Sequence, residues 1–151
     1  MANTQAMCTS FKAEILTGTH NFGVAPIRAA TTADSFKAAL YLATATVNAT
    51  TTVYASTNEV TGTNYVAGGV AVTNTVVPTT AGTTAYWTPS ASISYTPVTL
   101  TTAFDAVLIY NATQSNKAVS VHTFGSQTIT AGTFSLTMPS NAAGTALLNI
   151  A

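Results

Sequence analysis

Short segments in which apolar and polar residues alternate recur along most of the chain, separated by glycine, proline and asparagine. The clearest is Phe36–Leu42, where alternation places Phe36 and Leu40 on one face, as in a half-buried strand. Residues 70–77 alternate in the same way, and we expect eight or nine short strands in all. Strands of this number and spacing predict an all-β, antiparallel two-sheet β-sandwich, of the jelly-roll or Ig-like kind.

The later part of the chain contains most of the predicted strands. Two apolar runs, residues 105–110 and 117–124, are joined by the polar residues 111–116 and predict a hairpin. Pro89 and Pro97 suit sheet edges, because proline cannot donate to a ladder of backbone hydrogen bonds. Further strands are expected within residues 86–95, 98–100, 127–130, 134–138 and 145–150, with turns at residues 79–83, 131–132 and 139–141.

A single helix is predicted, over residues 3–17. Met7, Phe11 and Ile15 are spaced four apart, which places them along one side of a helix. Gly18 is a suitable residue to end it, since glycine adopts the left-handed conformation that closes many helices. This apolar stripe either docks on a neighbouring molecule or covers the open end of the sandwich.

We therefore divide the chain into an N-terminal helix or arm, residues 1–18, and one β-sandwich domain, residues 19–151. We expect the sandwich to fold without the residues that precede Phe11. Residues 19–35 contain no clear periodicity and predict a long irregular connection that includes Arg28.

The chain carries very few charges. It has four basic and four acidic residues and a net charge of zero, whereas about 25% of the residues of an average domain are charged. A folded chain of this length exposes roughly 7,000 Å², so whole contact patches are free of charge. A surface of this kind favours permanent assembly over life as a free monomer, although abundant hydroxyl groups can also keep it hydrated. We expect a homo-oligomer, either a dimer or a trimer.

Several classes of partner are disfavoured by the same composition. No basic run is present to bind a nucleic-acid backbone, and no apolar stretch is long enough to cross a membrane. The first residues lack the pattern of a secretory signal, and Cys8 is the one cysteine, so we expect synthesis and folding in the cytoplasm without disulfides.

Few residues are available for catalysis. His122 shares a strand face with Ser120, and a triad with Asp105 can be drawn, but no nucleophile elbow accompanies it. We expect His122 to be a hydrogen-bonded structural residue. The two histidines and Cys8 lack zinc-binding spacing, and no phosphate-binding glycine motif is present. We therefore predict no catalytic residues, no cofactor, no metal and no enzymatic activity.

The most distinctive segment is residues 59–69, which read EVTGTNYVAGG. Three glycines beside a carboxylate indicate a specially shaped loop that leads into a strand. Glu59, next to the hydroxyls of Thr61 and Thr63 and to glycine amides, can either bind a cation or anchor the loop by charge-assisted hydrogen bonds. A single carboxylate makes a poor calcium site, so we favour the anchoring interpretation.

Leu40-Tyr41-Leu42, followed by Tyr54 and the glycine-rich residues 59–69, resembles a family of small structural proteins of tailed bacteriophage particles. The similarity covers about residues 6–151. It includes the segments 106–111 (AVLIYN), 117–119 (KAV), 124–125 (FG), 132–136 (GTFSL) and 138–139 (MP). The resemblance implies a capsid decoration or cement protein, a β-sandwich on the outer shell that clamps neighbouring capsomers.

We therefore expect a virion structural protein on the capsid surface, which binds the major capsid protein and copies of itself. The alternative is a tail or fibre module that binds a host glycan by stacking on Tyr86, Trp87 and Tyr95. The candidate partner-contact residues are Met7, Phe11, Ile15, Glu59, Asn64, Tyr65, Gly68 and Gly69.

Overall fold

The computed structural model describes residues 3–16, 18–20, 22 and 33–150, with only the backbone of residues 12, 13 and 16. Most of the predicted connection between residues 19 and 35, including Arg28, lies outside the described residues. The described chain has eight strands and one helix: β1 (Ala6–Met7), α1 (Thr9–Leu16), β2 (Phe36–Leu42), β3 (Val70–Val72), β4 (Thr79–Ala81), β5 (Thr84–Trp87), β6 (Ile93–Asn111), β7 (Lys117–Leu136) and β8 (Leu148–Ile150).

The strands form two antiparallel sheets, which confirms the predicted all-β sandwich-like class. One sheet has five strands in the order β1-β7-β6-β2-β3, and the other has three strands in the order β4-β5-β8. β2 has the predicted bounds, Phe36–Leu42, and lies between β6 and β3. No helix among the described residues is long and apolar enough to cross a membrane.

The predicted hairpin is present, but its strands are far longer than expected. β6 has 19 residues and β7 has 20. Segments that we predicted as separate short strands are therefore parts of one strand pair. Pro97, predicted at an edge, lies in β6 beyond the stretch that pairs with β2, whereas residues 131–132, predicted as a turn, lie inside β7. The register between β6 and β7 shifts at both places. These shifts let residues unsuited to a regular ladder remain within paired strands.

The hairpin folds back on itself, and its two halves form two layers. The inner half, residues 104–111 and 117–124, pairs with β2 and β1, whereas the outer half, residues 93–103 and 125–136, extends beyond both. Ile93 and Val107 line the same cavity, although 14 residues of straight strand would separate them by roughly 45 Å. The register shifts around Phe104 mark the bend.

Aromatic contacts hold the two layers together. Tyr95, in the outer half, donates a hydrogen bond of 2.7 Å to the Ala38 carbonyl of β2. The ring of Phe134 packs edge-on against Phe104 with centroids 5.0 Å apart. The second sheet covers the same side of β2, since Trp87 lies 6.2 Å from Phe36 between ring centroids. The core thus lies between the five-stranded sheet and these two covering elements.

The N-terminal segment is part of the first sheet. The predicted helix begins later than expected, at Thr9, because Ala6 and Met7 pair with β7 as an edge strand. Gly18 has a φ of 65°, as expected for the residue after a helix. Asn3 donates to the Leu42 carbonyl and to Asp105. Residues 3–16 therefore contact the domain, and removing those before Phe11 would delete β1. That the sandwich folds without these residues stays a prediction.

Candidate partner-contact surface

The carboxylate of Glu59 is the centre of the glycine-rich loop, residues 59–69. It is buried, with 6% of the residue exposed. Tyr54 donates to its Oε2 atom at 2.6 Å, and Tyr65 and the Gly68 amide donate to Oε1 at 2.7 and 2.8 Å. Charge-assisted bonds of this kind are among the strongest that proteins form. The loop is thus anchored by Glu59, as we favoured, but through tyrosines rather than through the hydroxyls of Thr61 and Thr63.

The tyrosines around this loop act as neutral donors. Burial, together with the hydrogen bonds to Glu59, raises the pKa of Tyr54 and of Tyr65 above the ordinary value of the phenol. The Tyr65 hydroxyl also accepts a bond of 3.0 Å from the Leu40 amide. Five of the six tyrosines bond to Glu59 or to backbone carbonyls in or beside the loop: Tyr41, Tyr54, Tyr65, Tyr95 and Tyr110.

The loop closes one side of the sandwich by joining its two layers. Beyond β3, the edge of β2 pairs with the start of the loop, where the Val60 amide donates to the Leu40 carbonyl at 3.0 Å. Further on, Thr63 and Thr99 exchange two backbone bonds of 3.1 Å, which ties the loop to the outer half of β6. The loop thus covers part of the free edge of β2 and part of the free edge of β6, and covered edges are protected from unwanted strand pairing.

Two glycines allow this close approach. A Cβ atom on Gly69 would lie 1.7 Å from the Ala38 carbonyl oxygen, and one on Gly62 would lie 2.0 Å from the Thr99 carbonyl oxygen. Gly69 also has a φ of 70°, which side chains disfavour. No other residue type fits these positions without moving the backbone.

The loop presents only part of its sequence to a partner. Glu59 and Gly68 are buried, and Tyr65 and Gly69 are half-buried, so these four candidates act mainly by shaping the loop. Asn64 is exposed, with a φ of 62°. Val66 was not among the predicted contact residues, but it is 72% exposed, the highest value among the exposed large apolar residues that the structure describes. A valine between a tyrosine and two small residues in a glycine-rich loop was the available signal.

The other three candidates lie in the N-terminal segment. Phe11 is 1% exposed and belongs to the core, whereas Met7 and Ile15 are half-buried against it. Phe11 and Ile15 line an apolar cavity of about 220 Å³ together with Trp87 and Leu148 of the second sheet. The stripe thus faces the interior, which favours the interpretation of this helix as a cover over the sandwich.

A second buried polar cluster fixes this helix to the hairpin. Glu14 bonds to His20 Nε2 at 2.7 Å and to Lys117, while Asn111 bonds to His20 Nδ1 at 3.0 Å and to Asp34 at 2.8 Å. The Asn111 side-chain oxygen accepts two backbone amides, so its nitrogen must be the donor to His20. His20 is then neutral, with its proton on Nε2.

The electrostatics of this cluster agree with that assignment. Burial lowers the pKa of His20, against the opposing effect of Glu14. Although burial acts to raise the pKa of Glu14, the hydrogen bonds from Lys117 and His20 outweigh it, and the net shift is downward. The Glu14 side chain is only 14% exposed.

The residues considered for catalysis come together only in part. Ser120 Oγ lies 2.9 Å from His122 Nε2, and burial lowers the pKa of His122 to about 4. Asp105 instead accepts a hydrogen bond from Asn3. Ser120 is 2% exposed, so its hydroxyl is closed to a substrate in this structure. His122 is therefore hydrogen-bonded, as expected, and the absence of enzymatic activity stays a prediction.

Metal binding and thiol chemistry are the other two kinds of site considered. Within the described ranges, no group of three or more His, Cys, Asp or Glu side chains is placed to hold a metal ion. Cys8 is free and buried, and burial raises the pKa of its thiol to about 11. A thiol with a raised pKa is a poor nucleophile at neutral pH.

The aromatic surface required by the glycan-binding alternative is mostly internal. Trp87 and Tyr95 are each 2% exposed, and Trp87 Nε1 donates to the Val76 carbonyl at 2.9 Å. Tyr86 is half-buried. A sugar ring would need an accessible aromatic face to stack on, which Trp87 and Tyr95 do not offer.

No protein-family model matches the sequence, and neither does a curated protein or a solved structure.

Proposed function

We propose that this chain is a bacteriophage virion structural protein, a capsid decoration or cement protein that binds the outer shell and stabilises contacts between major capsid subunits. The observation that carries the proposal is the use of every carboxylate in the chain for internal hydrogen bonding. A surface left with so little charge suits permanent burial against neighbouring subunits.

The four carboxylates each serve a fold contact. Glu59 binds two tyrosines and a backbone amide, and Glu14 binds His20 and Lys117. Asp34 accepts from Asn111 and Gln114, and Asp105 accepts from Asn3. The chain exposes 7383 Å² in total. Because all four carboxylates make internal hydrogen bonds, even less of this surface carries a freely hydrated negative charge than the composition implied.

The anchored loop supplies a preformed contact surface. Its ends are held to both layers of the sandwich, so little conformational entropy is lost when the tip is covered. Val66 and Asn64 project from that tip without any ionised neighbour in residues 60–69. On a shell, each such contact is repeated by symmetry, and many modest contacts then act together.

The proposal assigns the protein to the capsid surface, where its partners are the major capsid protein and copies of itself, as a dimer or trimer. Synthesis and folding would take place in the host cytoplasm. The buried thiol of Cys8 and the absence of any need for a disulfide support that route.

The direct test is to purify phage particles from a bacterial strain that carries the gene. Mass spectrometry should find the chain in the particles, and cryo-electron microscopy should find its density on the outside of the head. Density on the tail, or particles that lack the chain, would contradict the proposal.

The contact surface is tested by adding purified protein back to heads that lack it. Val66→Asp should reduce occupancy at least about tenfold, because a charge would be buried without a partner. Val53→Asp is the matched control, since Val53 is also exposed, at 45%, but lies outside the loop. Equal occupancy for the two variants would exclude the loop tip from the interface.

A further inference from the structure

A cavity of about 170 Å³ lies between the two halves of the hairpin, and among the described residues His122 is the titratable side chain that lines it. Its wall comes from three parts of the molecule and is mainly apolar. The inner half of the hairpin contributes Val107 and Ile109, the outer half contributes Ile93 and Leu136, and the segment after β7 contributes Met138 and Leu147. A ring that gained a proton here would have few groups to solvate its charge.

No opposite charge faces His122 from the elements around it, within the part of the chain that the structure describes. The outer half of the hairpin, β1 and residues 137–150 contain no Asp, Glu, Lys or Arg. The other titratable side chains of β6 and β7 bond elsewhere: Asp105 to Asn3, Lys117 to Glu14, Tyr95 to Ala38 and Tyr110 to Gly68. Burial accordingly lowers the pKa of His122 to about 4, with no charged group acting on it.

The segment after β7 is the least firmly held wall of this cavity. We name residues 137–150 the C-terminal cover. The inner half of the hairpin is paired on both sides, with β1 and with β2. The described backbone bonds of residues 137–146 instead lie within one turn, at residues 140–146. The cover is held beyond that turn by the Leu147 amide, which donates to Thr88 Oγ1 at 2.9 Å, and by the pairing of β8 with β5. Segments with so few bonds to the rest of a fold open most easily.

We propose that His122 is an acid-sensitive switch: when its ring gains a proton, the C-terminal cover separates from the hairpin while the inner half of the hairpin stays folded. Separation of the cover admits water to the charged ring, whereas access from the other side would require paired strands to break. Because Leu147 lines the cavity and β8 follows it directly, β8 leaves β5 together with the cover. The switch is a property of the isolated chain and does not depend on the proposed function.

The pH range of the switch follows from the two environments of the ring. In the open form the ring lies in water and has the ordinary histidine pKa of 6.5, whereas in the closed form the pKa is about 4. The open form therefore binds the additional proton between these values, so the ratio of open to closed chain rises as the pH falls from 6.5 to 4. Between pH 7 and pH 5 this ratio should rise roughly twentyfold.

The test is amide hydrogen exchange of the purified chain at pH 7, 6 and 5, corrected for the intrinsic pH dependence of exchange. The Leu147 amide and the hydrogen-bonded amides of β8 should lose protection roughly twentyfold between pH 7 and pH 5. The amides of residues 106–109 and 118–121, in the inner half of the hairpin, should keep theirs. Exchange at these two sets of amides separates opening of the cover from unfolding of the whole domain.

Two variants remove the titrating ring in different ways. His122→Gln keeps a polar group that can bond to Ser120, and His122→Phe keeps a ring of similar size. In both, protection of the cover should change by less than about threefold between pH 7 and pH 5. His20→Gln is the matched control, because His20 bonds to Glu14 and Asn111 rather than lining this cavity, and it should keep the roughly twentyfold change. Thermal unfolding confirms that each variant is folded.

A parent protein whose cover stays protected at pH 5 would overturn the switch. So would an equal loss of protection in the inner half of the hairpin, or an undiminished loss in a folded His122 variant. If neither His122 variant folds, the parent and His20→Gln still decide the matter. A loss of protection that disappears in His20→Gln would assign the effect to His20 and refute the proposal.

Discussion

Two carboxylates, the buried Glu59 and the half-buried Glu14, hold two different segments against the five-stranded sheet, but their donors differ. Glu59 receives two tyrosine hydroxyls and one backbone amide, all neutral. Glu14 instead contacts His20 and Lys117. The first cluster shapes a loop that faces outward, whereas the second fastens the N-terminal helix to the hairpin.

The difference bears on how each segment responds to its surroundings. Neutral donors with raised pKa values keep their protons at any ordinary pH, so nothing among the donors to Glu59 changes charge between pH 5 and 8. His20 can change charge, although burial lowers its pKa, and Lys117 is 39% exposed and screened by salt. We therefore expect the loop to stay fixed under conditions that loosen the helix.

The largest effect is expected from Gly69→Ala, which attacks the close approach on which the loop depends. The new Cβ would lie 1.7 Å from the Ala38 carbonyl oxygen, at a φ of 70°. We expect a loss of about 4 kcal/mol or more, measured by urea unfolding. Gly82→Ala is the control, because Gly82 also has a positive φ but nothing lies within 4 Å of its Cβ position. It should cost about 1 kcal/mol, and equal losses would mean that the loop is not packed on β2.

The next effect separates the charge of Glu59 from its role as an acceptor. Glu59→Met keeps the length of the side chain but leaves Tyr54, Tyr65 and the Gly68 amide without their acceptor, at a cost of roughly 3 kcal/mol. Glu59→Gln retains an acceptor oxygen and should cost about 1 kcal/mol. Urea unfolding measures both variants. If they were equally destabilised, the negative charge rather than the number of acceptors would hold the loop.

Acid should weaken the fold through its histidines. Burial lowers the pKa of His122 to about 4, so below pH 6.5 the unfolded chain binds a proton that the folded chain does not. Stability therefore falls as the pH falls from 6.5 towards 4, by about 2 kcal/mol at pH 5 from this residue. His20, whose pKa is also lowered, acts in the same direction.

The measurement is urea unfolding at pH 7 and pH 5 for the parent, His20→Gln and His122→Gln. Each variant should lose less stability between the two pH values than the parent. Glu14 does not affect this comparison, because it is ionised in both the folded and the unfolded chain above about its ordinary pKa of 4.5. Since its pKa is lowered in the folded chain, the stability that it contributes is lost only as the pH falls below that value. Parallel profiles for all three proteins would show that neither histidine is buried as described.

The smallest effect is expected from Lys117→Gln, which removes the exposed member of the Glu14 cluster. Lys117 is 39% exposed, and ion pairs open to solvent contribute about 0.5 kcal/mol. The loss should shrink in high salt, where the parent pair is already screened. A loss above about 2 kcal/mol by urea unfolding would place Lys117 on a par with Glu59 and remove the contrast between the clusters.

Elements specified by nearby residues were predicted well. Phe36–Leu42 has the predicted bounds because its alternation and its pairing agree along the whole strand. The loop at residues 59–69 was recognisable from its glycines, and two of them, Gly62 and Gly69, pack directly against backbone carbonyl groups. The anchoring role of Glu59 followed as well, since its donors Tyr54, Tyr65 and Gly68 lie within nine residues of it.

Elements decided by distant pairing were predicted poorly. Pro97 and residues 131–132 look like breaks when considered locally, but each lies where the register between β6 and β7 shifts, and the ladder resumes beyond it. Ala6 and Met7 fit a helical stripe, but they pair with Val121 and Ser120, more than 110 residues away. Local patterns carry no information about such partners, and the tertiary contacts override weak local preference.

The sequence by itself determined that the chain would be a sheet protein with almost no charge to display, because alternation and composition need no partner to take effect. Only the tertiary structure decided where the few charges go. Asp34 finds Asn111 from 77 residues away, and Glu14 finds Lys117 from 103 residues away. An ionised group leaves water only where donors converge on it, and convergence over such distances exists only once the chain has folded.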